Sequence, residues 1–373
     1  MPAGDKKGMV MNMIELVRPD ALGAEDLALW QSWRQADPDL VSPYYSAGWA
    51  QAVSRARDDI RVAIFHDPAG RKCAFLPLQR PSPLVLQPAG GPLCDYQGAI
   101  GASGKVVDMG ALLKSTGAGR YDFGNLLAKQ SSFACHAREI HVSRVINLTK
   151  GYEAYMQHRR DAGSSETKRA RKRKRKLSRD IGPVNLKTNC QDSAALDQLI
   201  IWKCDQYKRT GQTNIFTRDW ALSLVRDLFE RQNEGLTAEL FALYAGEHLA
   251  ALNLCLRSGP VLHSWFIAHD PALSHFSPGL ILFEEMIEHA CANRIAEIDL
   301  GAGDYRFKLN LANAARPLCG GFVGSNALSA RLRALEYNLR GVIEALPLGP
   351  VSSWPGKAMR RHDLHLGLRV GPS

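Results

Sequence analysis

The sequence predicts an α/β fold made of two similar halves, each a mixed, mostly antiparallel twisted sheet flanked by helices. Its 373 residues exceed the length of one typical domain. The same order of strand, glycine turn, return strand, helix and strand occurs twice. The turn glycines Gly70 and Gly246 lie 176 residues apart, and Asp122 and Asp299 lie 177 apart. Such a nearly constant offset is typical of a duplicated unit, although hairpins with glycine turns also arise by chance.

In the first half, residues 1–148, short apolar runs bounded by turn residues predict strands, and a longer pattern predicts one helix. The strands cover residues 61–65, 72–79 and 121–124, and the helix covers 105–114. No basic residue after the last strand corresponds to Lys308 of the second half. We therefore expect the first half to be a degenerate copy with a structural or substrate-facing role.

The second half, residues 149–325, repeats this order of elements after several additional helices. The predicted strands cover residues 184–188, 240–244, 249–257, 263–268 and 296–300, and the predicted helices cover 151–160, 194–208, 218–231 and 278–292. This half also contains the residues that carry candidate chemistry, so we expect the active site here.

A last segment, residues 326–373, is predicted to form a C-terminal helix over 327–346 and an irregular tail from Pro347. The helix follows from apolar residues at helical spacing, which are Leu328, Leu332, Leu335, Leu339 and Ile343. The tail is rich in proline, glycine and arginine, and we expect it to wrap loosely over the surface.

Composition favours an ordinary globular protein of a reducing compartment. The eight cysteines are scattered without a C-x-x-C pair, which argues against a disulfide framework or a zinc site. The histidines show no ligand spacing, so we expect no metal. Residues 1–12 lack the apolar core of a signal peptide, and no run approaches the roughly 18 apolar residues that cross a bilayer. We expect a cytoplasmic protein, either free or attached peripherally to the inner membrane surface.

A basic segment, residues 168–179, dominates the charge of the chain. The formal net charge is +10, and eight of the nine residues from 168 to 176 are lysine or arginine. These cations repel each other on a helix, so the segment calls for an anionic partner, stays disordered, or is only a solvated charge run. Candidate partners are a diphosphate-bearing substrate, an anionic membrane surface or RNA. Residues 158–183 contain no Phe, Tyr or Trp, which argues against sequence-specific nucleic-acid binding.

The start of the helix at residue 278 is a candidate phosphate site. Ser277 suits a helix cap and Pro278 suits the first turn. The unpaired amides and the dipole at a helix N-terminus favour an anion, so a diphosphate would contact Ser277, Pro278, Gly279 and Leu280. We expect the strands on either side of this helix to diverge, with the amides facing the gap between them. The alternative interpretation is a well-formed helix start without a ligand.

The loop after the last predicted strand offers further candidate groups. It reads Gly-Ala-Gly-Asp-Tyr-Arg-Phe-Lys over residues 301–308. Asp304 lies in a glycine-bracketed loop, where substrate contacts are common. Lys308 would hold a phosphate as a point charge, and the phenol of Tyr305 would donate a proton to a leaving group. Solvated side chains are the alternative interpretation.

Three residues of the two flanking strands complete the candidate site. His263 would remove a proton from an incoming amine, because its ordinary pKa lies near neutral pH; a strand histidine is more often a core residue. Asp299 ends an apolar strand, where a bare buried carboxylate is costly, so it would orient the amine or cap the following turn. Trp265 lies on the same strand face as His263 and would contact the substrate.

Six motifs between about residues 40 and 310 carry a resemblance to a known family. They are Ser42-Pro43-Tyr44 to Trp49, Phe75-Leu76-Pro77-Leu78, Asp95-Tyr96, the basic helix ending in Lys176-Leu177, Ser277-Pro278-Gly279, and Asp299-x-Gly301-x-Gly303-Asp304-x-x-Phe307-Lys308. Together they resemble the GNAT-type acetyltransferases of cellulose and exopolysaccharide biosynthesis (the CelD/BcsL group), which are double-GNAT proteins related to the Fem peptidoglycan aminoacyl transferases.

The resemblance implies two tandem GNAT-like domains and acetyl-CoA or another acyl-CoA as co-substrate, bound by residues 277–280 and Lys308. The substrate-binding residues that we expect on this basis are Asp95, Tyr96, Trp265, Gly301 and Gly303. The chain departs from the family at Phe307, where tyrosine is frequent. It also lacks the Gln/Arg-x-x-Gly-x-Gly loop of ordinary GNAT enzymes, so acyl-CoA as donor rests on the resemblance.

The leading hypothesis is an acyl-CoA-dependent N-acyltransferase that acts on a sugar or polysaccharide precursor. One alternative is a Fem-like aminoacyl transferase that uses aminoacyl-tRNA; residues 151–235 show no sustained heptads of the kind that forms the coiled-coil hairpin of Fem proteins. Another alternative is a non-catalytic accessory or scaffold protein of a polysaccharide-producing complex.

Overall fold

The computed structural model describes residues 13–102, 106–231, 235–325, 327–346 and 354–371. The strands are β1 Ile14–Val17, β2 Ile60–His66, β3 Lys72–Ser82, β4 Val85–Pro88, β5 Ile100–Gly101, β6 Arg120–Leu127, β7 Ala137–Asn147, β8 Val184–Lys187, β9 Thr237–Ala245, β10 His248–Ser258, β11 Val261–His269, β12 Glu297–Ala302 and β13 Ala314–Gly324. The helices are α1 Ala24–Ala36, α2 Ala47–Ala56, α3 Met109–Thr116, α4 Ser131–Ala134, α5 Gly151–Asp161, α6 Glu166–Asp180, α7 Ser193–Thr210, α8 Asp219–Glu230, α9 Pro278–Ala292, α10 Arg306–Leu311, α11 Leu328–Ala345 and α12 Trp354–Gly367.

The two halves repeat one order of elements, which confirms the predicted α/β fold of tandem units. β1, β2, β3, β4, α3, β6 and β7 of the first half correspond in order to β8, β9, β10, β11, α9, β12 and β13 of the second. In each half a hairpin is followed by a parallel crossover through a helix, so each sheet is mixed and mostly antiparallel. The helix predicted over residues 278–292 has these bounds in the structure.

The last strand of each half pairs with a strand of the other half. The sheet order is β1-β2-β3-β4-β6-β13-β7-β12-β11-β10-β9-β8, with β5 paired to β3. Thus β13 pairs with β6, placing Phe322 opposite Asp122, and β7 pairs with β12, placing Ile146 opposite Ile298. The exchange joins both halves into one continuous sheet. The proposed domain boundary, between residues 148 and 149, lies in the short connection from β7 to α5.

One hydrophobic core is shared between the halves. Trp30 and Trp49 of the first half belong to the same buried cluster as Leu224, Leu254 and Leu256 of the second. Helices α2 and α8 pack against each other across this cluster. Burying a side chain of this size contributes about 1.5–3 kcal/mol, so the shared core stabilises the two halves as a unit.

Two segments differ from the sequence-based expectations. The first-half helix begins at Met109, four residues after the predicted start, because Asp108 caps it by accepting a hydrogen bond from the amide of Ala111 at 2.9 Å. The tail predicted to be irregular forms α12, and Leu368 beyond it is buried. Residues 1–12, Lys105 and the start of the tail, 347–353, lie outside the described residues.

The basic segment is an ordered helix, so the alternative of a disordered segment is wrong. Helix α6 packs against α9 and buries Ala170 and Leu177. Acidic residues of α9 meet several of its cations: Arg171 lies 3.2 Å from Glu284, and Lys174 forms an ion pair with Glu285. Paired charge and a small apolar stripe offset the repulsion that the sequence suggests. Among the described helices, none combines the length and the apolar character needed to cross a bilayer.

Candidate functional site

Strands β11 and β12 diverge, as the sequence predicted, and form a fork within the sheet. They pair in parallel at three positions, the last being His263 opposite Asp299. Beyond this point β11 continues to His269 beside β10, while β12 continues to Ala302 beside β7. Helix α9 connects the two arms. The fork exposes backbone and side chains at the position where the predicted catalytic residues cluster.

His263 lies at the base of the fork between two carboxylates. Its Nε2 is 2.9 Å from Oδ2 of Asp95, its Nδ1 is 3.5 Å from Oδ1 of Asp299, and the side chain is fully buried. Burial by itself would lower the pKa of His263, but the hydrogen bonds and charges of Asp299 and Asp95 outweigh burial and raise this pKa to about 9. At neutral pH the imidazole of His263 is therefore protonated on both nitrogens and positively charged.

Asp299 is held by a complete set of donors. Its Oδ1 accepts hydrogen bonds from the Ser143 hydroxyl at 2.6 Å and the Gly301 amide at 2.8 Å. Its Oδ2 accepts a short hydrogen bond from the phenol of Tyr96 and lies 3.3 Å from Arg316. Burial would raise the pKa of Asp299, but His263 and these donors hold it well below its usual range. Asp299 is thus a fixed anion that anchors the fork.

The exchanged strands supply two residues of this network that sequence analysis missed. Ser143 comes from β7 and Arg316 from β13, and Arg316 also pairs with Glu297 at 2.9 Å. Both residue types are common on strands, and their positions lie far from Asp299 in the predicted topology. No signal in a single sequence reveals them, because the strand exchange that brings them to Asp299 is itself not readable from the pattern.

Gly301 marks the point around which the polar groups converge. Its φ of +75° is in the left-handed region, and a Cβ at this position would lie 3.5 Å from Asp95 Oδ2, 3.6 Å from Lys308 Nζ and 3.7 Å from His263 Cε1. The Asp95 side chain is 30% exposed, so of the two carboxylates that flank His263 it is the one that reaches solvent. The sequence predicted Asp95, His263, Gly301 and Lys308 as site residues, and the structure brings them together.

Lys308 reaches back over the fork from α10. Its ammonium donates a hydrogen bond to the carbonyl of Ala302 at 2.8 Å and lies 5.6 Å from the ring centre of Tyr305. Burial lowers the pKa of Lys308, and the charges of Asp95 and Asp299 oppose this effect. A cation beside a partly exposed carboxylate is suited to contact a polar or anionic substrate group.

A second lysine, which sequence analysis missed, approaches the same region from α7. Burial and the nearby charge of Lys308 lower the pKa of Lys203 to about 8. Its ammonium lies 4.8 Å from the ring centre of Tyr207, whose own pKa is raised by burial and by the charge of Asp95. The apolar spacing of α7 gave no indication that its face would border the fork.

Comparison with known proteins matches the part of the chain that forms this fork. Residues 164–309 match the family model described as an acetyltransferase (GNAT) domain. This part of the chain is therefore similar to a GNAT acetyltransferase domain. The matched segment includes α6, the fork and Lys308, whereas the predicted site residues Asp95 and Tyr96 lie outside it. None of the curated proteins compared with the chain matches it.

Solved structures show the same overall fold. FemX aligns with a TM-score of 0.56 and 12% identity, and the alignment covers 87% of this chain and 100% of FemX. The C-terminal domain of a putative lysylphosphatidylglycerol synthetase from Agrobacterium fabrum aligns with a TM-score of 0.50 and 11% identity, over 84% of this chain and 96% of that domain. At these identities the likeness establishes the fold alone. The narrower resemblance to the exopolysaccharide group stays a prediction.

The N-terminus of α9 differs in detail from the predicted phosphate site. Ser277 has a left-handed φ of +53°, and its side chain does not cap α9; its hydroxyl accepts a hydrogen bond from Arg173 of α6. The amides of Leu280 and Ile281 already donate to the carbonyl of Ser277, at 3.0 and 3.4 Å. An anion at this end of α9 would therefore depend on Arg173 more than on the amide of Leu280.

Two predicted residues of the matched segment, Asp304 and Tyr305, lie away from the fork or at its edge, whereas Trp265 does not. Asp304 is 77% exposed and pairs with Arg144 at 2.8 Å, because the chain turns outward after Gly301. Tyr305 is also exposed, and a Cβ at Gly303 would contact only its ring. Trp265 lies inside the site, where its indole donates to the carbonyl of Leu93 at 3.2 Å. Asp304 and Tyr305 are thus close to Lys308 in sequence, but their side chains do not enter the fork.

The equivalent fork of the first half is closed by the chain itself. Strands β4 and β6 pair in parallel only at Val85–Arg120 and Leu86–Tyr121. The next segment then runs beside β6, where Oε1 of Gln97 accepts the amides of Gly124 at 2.8 Å and Asn125 at 3.0 Å. The same segment carries Asp95 and Tyr96 into the second fork. This observation supports the expectation of a degenerate first copy that faces the substrate.

Among the described residues, no group of three or more His, Cys, Asp or Glu side chains could hold a metal ion. The carboxylates of the fork are instead neutralised by His263, Arg316 and hydrogen-bond donors. These side chains can transfer protons and stabilise charge.

Proposed function

We propose that this protein is an acyl-CoA-dependent N-acyltransferase that acts on a sugar or polysaccharide precursor in cellulose, exopolysaccharide or cell-envelope biosynthesis. The observation that carries the proposal is the fork of β11 and β12 inside the matched GNAT segment, with the partly exposed carboxylate of Asp95 beside it. A thioester in the fork would lie within reach of a base and a cation. The acceptor class and the pathway come from the sequence resemblance.

In this proposal the acceptor amine attacks the thioester carbonyl, so that a C–N bond forms and the C–S bond breaks. Asp95 takes the proton that the amine loses, and the leaving thiolate takes a proton from solvent or from the Tyr305 phenol. Lys308 stabilises negative charge that develops near Gly301. His263, buried and protonated between two carboxylates, positions Asp95; its contacts favour this positioning role over the base role predicted from the sequence.

The donor would bind along β11 and toward the N-terminus of α9. Gly279 leaves space there, since a Cβ at this position would meet only Ile267 Cδ1 at 3.7 Å. Arg173 lies against Ser277, and the Lys176 ammonium lies 5.4 Å from the ring centre of Phe276. These two cations of α6 would contact the diphosphate of an acyl-CoA in place of the glycine loop that the chain lacks.

Calorimetric titration with acetyl-CoA tests this proposal directly. We expect micromolar to millimolar binding that weakens in the variant Arg173→Gln, because one phosphate contact is lost. Leu84→Lys, an exposed substitution on the first half, serves as the matched control. A folded protein that does not bind acetyl-CoA at millimolar concentration contradicts acyl-CoA as the donor. Binding without release of thiol in the presence of amino sugars would favour an accessory, non-catalytic role.

A Fem-like aminoacyl transfer from aminoacyl-tRNA is the second candidate, and one feature of α6 favours it. Lys168, Lys172 and Arg175 form an exposed stripe at i, i+4 and i+7, and none of them makes an ion pair with the described residues. Such a stripe fits a phosphate backbone. The fold likeness to FemX is compatible with this candidate. Co-purification of tRNA, lost when all three are changed to Gln, would favour it over acyl-CoA.

The same stripe would also attach the protein to an anionic membrane surface, which is the localisation proposed from the sequence. Each cation near such a surface contributes on the order of 1 kcal/mol at low salt. Flotation with phosphatidylglycerol vesicles would detect this attachment, and the triple Gln variant should abolish it. No flotation at low salt would leave a cytoplasmic protein without membrane contact.

A further inference from the structure

Helix α11 presents an apolar stripe to solvent. Its inner face is fixed to the body by Ala330 and Arg333, which are buried, and Arg333 pairs with Asp363 of α12 at 2.7 Å. The outer face carries six large apolar side chains with exposed fractions of 47–70%, which are Leu328, Leu332, Leu335, Leu339, Val342 and, directly after the helix, Leu346. Monomeric proteins rarely expose a continuous apolar patch of this kind without a partner.

The spacing of these six residues is that of a coiled-coil seam. They follow one another at intervals of 4, 3, 4, 3 and 4 residues, which are the a and d positions of a heptad. At 100° per residue they fall within an arc of about 80°, which is narrower than the apolar face of a helix that lies on a core or in a membrane surface. The stripe therefore fits the narrow contact with another helix.

Charges beside the stripe indicate which helix fits. In the heptad set by Leu332 and Leu339 at position a, Arg331 takes position g and Glu336 takes position e. In a parallel pair of identical helices, position g of one chain faces the position e that lies five residues later in the other. Two Arg331–Glu336 pairs would then form, one on each side. An antiparallel pair in which Leu335 meets Leu339 would instead place Glu336 close to its own copy.

We propose that α11 is a self-association surface on which a second copy of this chain docks in a parallel coiled coil. The association buries the leucine stripe of both copies and pairs Arg331 with Glu336 across the contact. Arg331 makes no ion pair within the part of the chain that the structure describes. Glu336 pairs with Arg333 at 2.8 Å, but its side chain stays 50% exposed. Both side chains are therefore accessible to a second copy. The proposal is independent of the acyl-transfer function.

Sedimentation equilibrium of the full chain at micromolar concentration tests the proposal. We expect the mass of two chains, and the mass of one chain for Leu335→Lys/Leu339→Lys, with a dissociation constant raised on the order of 100-fold or more. These positions are exposed, so the fold should persist, as circular dichroism can verify. Leu84→Lys, at an equally exposed leucine, is the matched control and should leave the dimer intact. A monomeric wild type, or a dimer unaffected by the double variant, overturns the proposal.

A charge exchange tests the parallel arrangement separately. Arg331→Glu alone should weaken the dimer severalfold, because it sets glutamate against Glu336, and adding Glu336→Arg should restore it. Failure of the second change to restore the dimer overturns the parallel pairing. Vesicles of phosphatidylglycerol and phosphatidylcholine provide the competing outcome: flotation that requires Leu335 and Leu339, by a protein that is monomeric without lipid, would show a membrane-binding stripe and overturn the proposal.

Discussion

At the level of single residues, the buried charges of the fork depend on one another. His263 contacts Asp95 from the first half and Asp299 from the second, and Arg316 balances the outer oxygen of Asp299. A buried charge without a partner costs several kcal/mol, so none of these groups can be removed without exposing the others to that cost. Their common effect is to leave Asp95, whose oxygen partly faces solvent, in one orientation beside Gly301.

The substitution Asp95→Asn should remove activity and preserve donor binding. The amide keeps the size of the carboxylate but cannot accept the proton of the amine, so we expect kcat/KM to fall by about 10²- to 10⁴-fold. Release of CoA thiol with amino-sugar acceptors measures the rate, and calorimetry measures acetyl-CoA affinity. Asp205→Asn, on an exposed position of α7, is the matched control. Retention of most of the activity in Asp95→Asn would show that another group is the base.

His263 should make the stability of the protein depend on pH in the alkaline range. Its pKa rises from an ordinary value near 6.5 to about 9 in the folded protein. The folded state therefore binds a proton that the unfolded state releases, and this adds stability that is complete below about pH 6.5 and is lost as pH rises through 9. The contribution is on the order of 3 kcal/mol.

Urea unfolding of the wild type and of His263→Gln at pH 6, 8 and 10 measures this effect. We expect the variant to lose more free energy of unfolding at pH 6 than at pH 10, because at pH 10 the wild type has already lost the protonated imidazole. A difference between the two proteins that does not change with pH would mean that His263 is neutral in the folded state.

Part of the site could be predicted from the sequence, and the reason is local. His263, Asp299, Gly301 and Lys308 lie within one crossover, so short-range patterns place them near each other. Asp95 could be predicted only from the family resemblance, because it lies 168 residues from His263 along the chain. Ser143, Arg316 and Lys203 reach the site through strand exchange and helix packing, which a pattern in one sequence does not encode.

At the level of elements, α6 shows how tertiary pairing decides the state of a charged segment. From the sequence alone, this segment either binds an anionic partner, stays disordered, or is only a solvated charge run. Four cations are satisfied inside the protein, by Glu166, Glu284, Glu285 and the hydroxyl of Ser277. The remaining exposed stripe is available to a ligand. The acidic residues of α9 can be read from the sequence. The packing that places them opposite α6 cannot.

Two substitutions on α6 should separate stability from ligand binding. Arg171→Gln removes the cation that pairs with Glu284, whose side chain is only 4% exposed, and leaves it with the Tyr152 phenol; this should lower the free energy of unfolding by about 1–3 kcal/mol. Lys172→Gln, next to it on the exposed face, should change that free energy by less than about 0.5 kcal/mol. Urea unfolding measures both. Equal effects would mean that the Arg171–Glu284 contact does not stabilise the helix.

At the level of the whole molecule, the duplication and the strand exchange have opposite consequences. Duplication supplies two forks with the same connections, and the offset between Gly70 and Gly246 in the sequence predicted this repetition. The exchange of β7 and β13 then binds the copies together, and it lets Gln97 close the first fork while Asp95 serves the second. The exchange could not be predicted from the sequence. The apolar pattern of β13 is equally compatible with pairing inside its own half and with pairing to β6 of the other half.

The exchange predicts that neither half folds alone. A fragment of residues 1–148 would contain β6 and β7 without β13, which lies between them, and a fragment of residues 149–373 would contain β12 and β13 without β7. Each would expose unpaired strand edges and the shared core. We expect each fragment expressed alone to aggregate or to unfold without a cooperative transition in urea, as followed by circular dichroism.

Co-expression of the same two fragments is the matched control, since it restores every strand pair without the covalent connection between residues 148 and 149. We expect the fragments to copurify and to unfold together in one transition, with binding of acetyl-CoA recovered. Independent cooperative folding of residues 1–148 would show that β6 and β7 can close on each other. In that case the continuous sheet would be a docked arrangement of two separable domains, and Asp95 would reach the fork only when they dock.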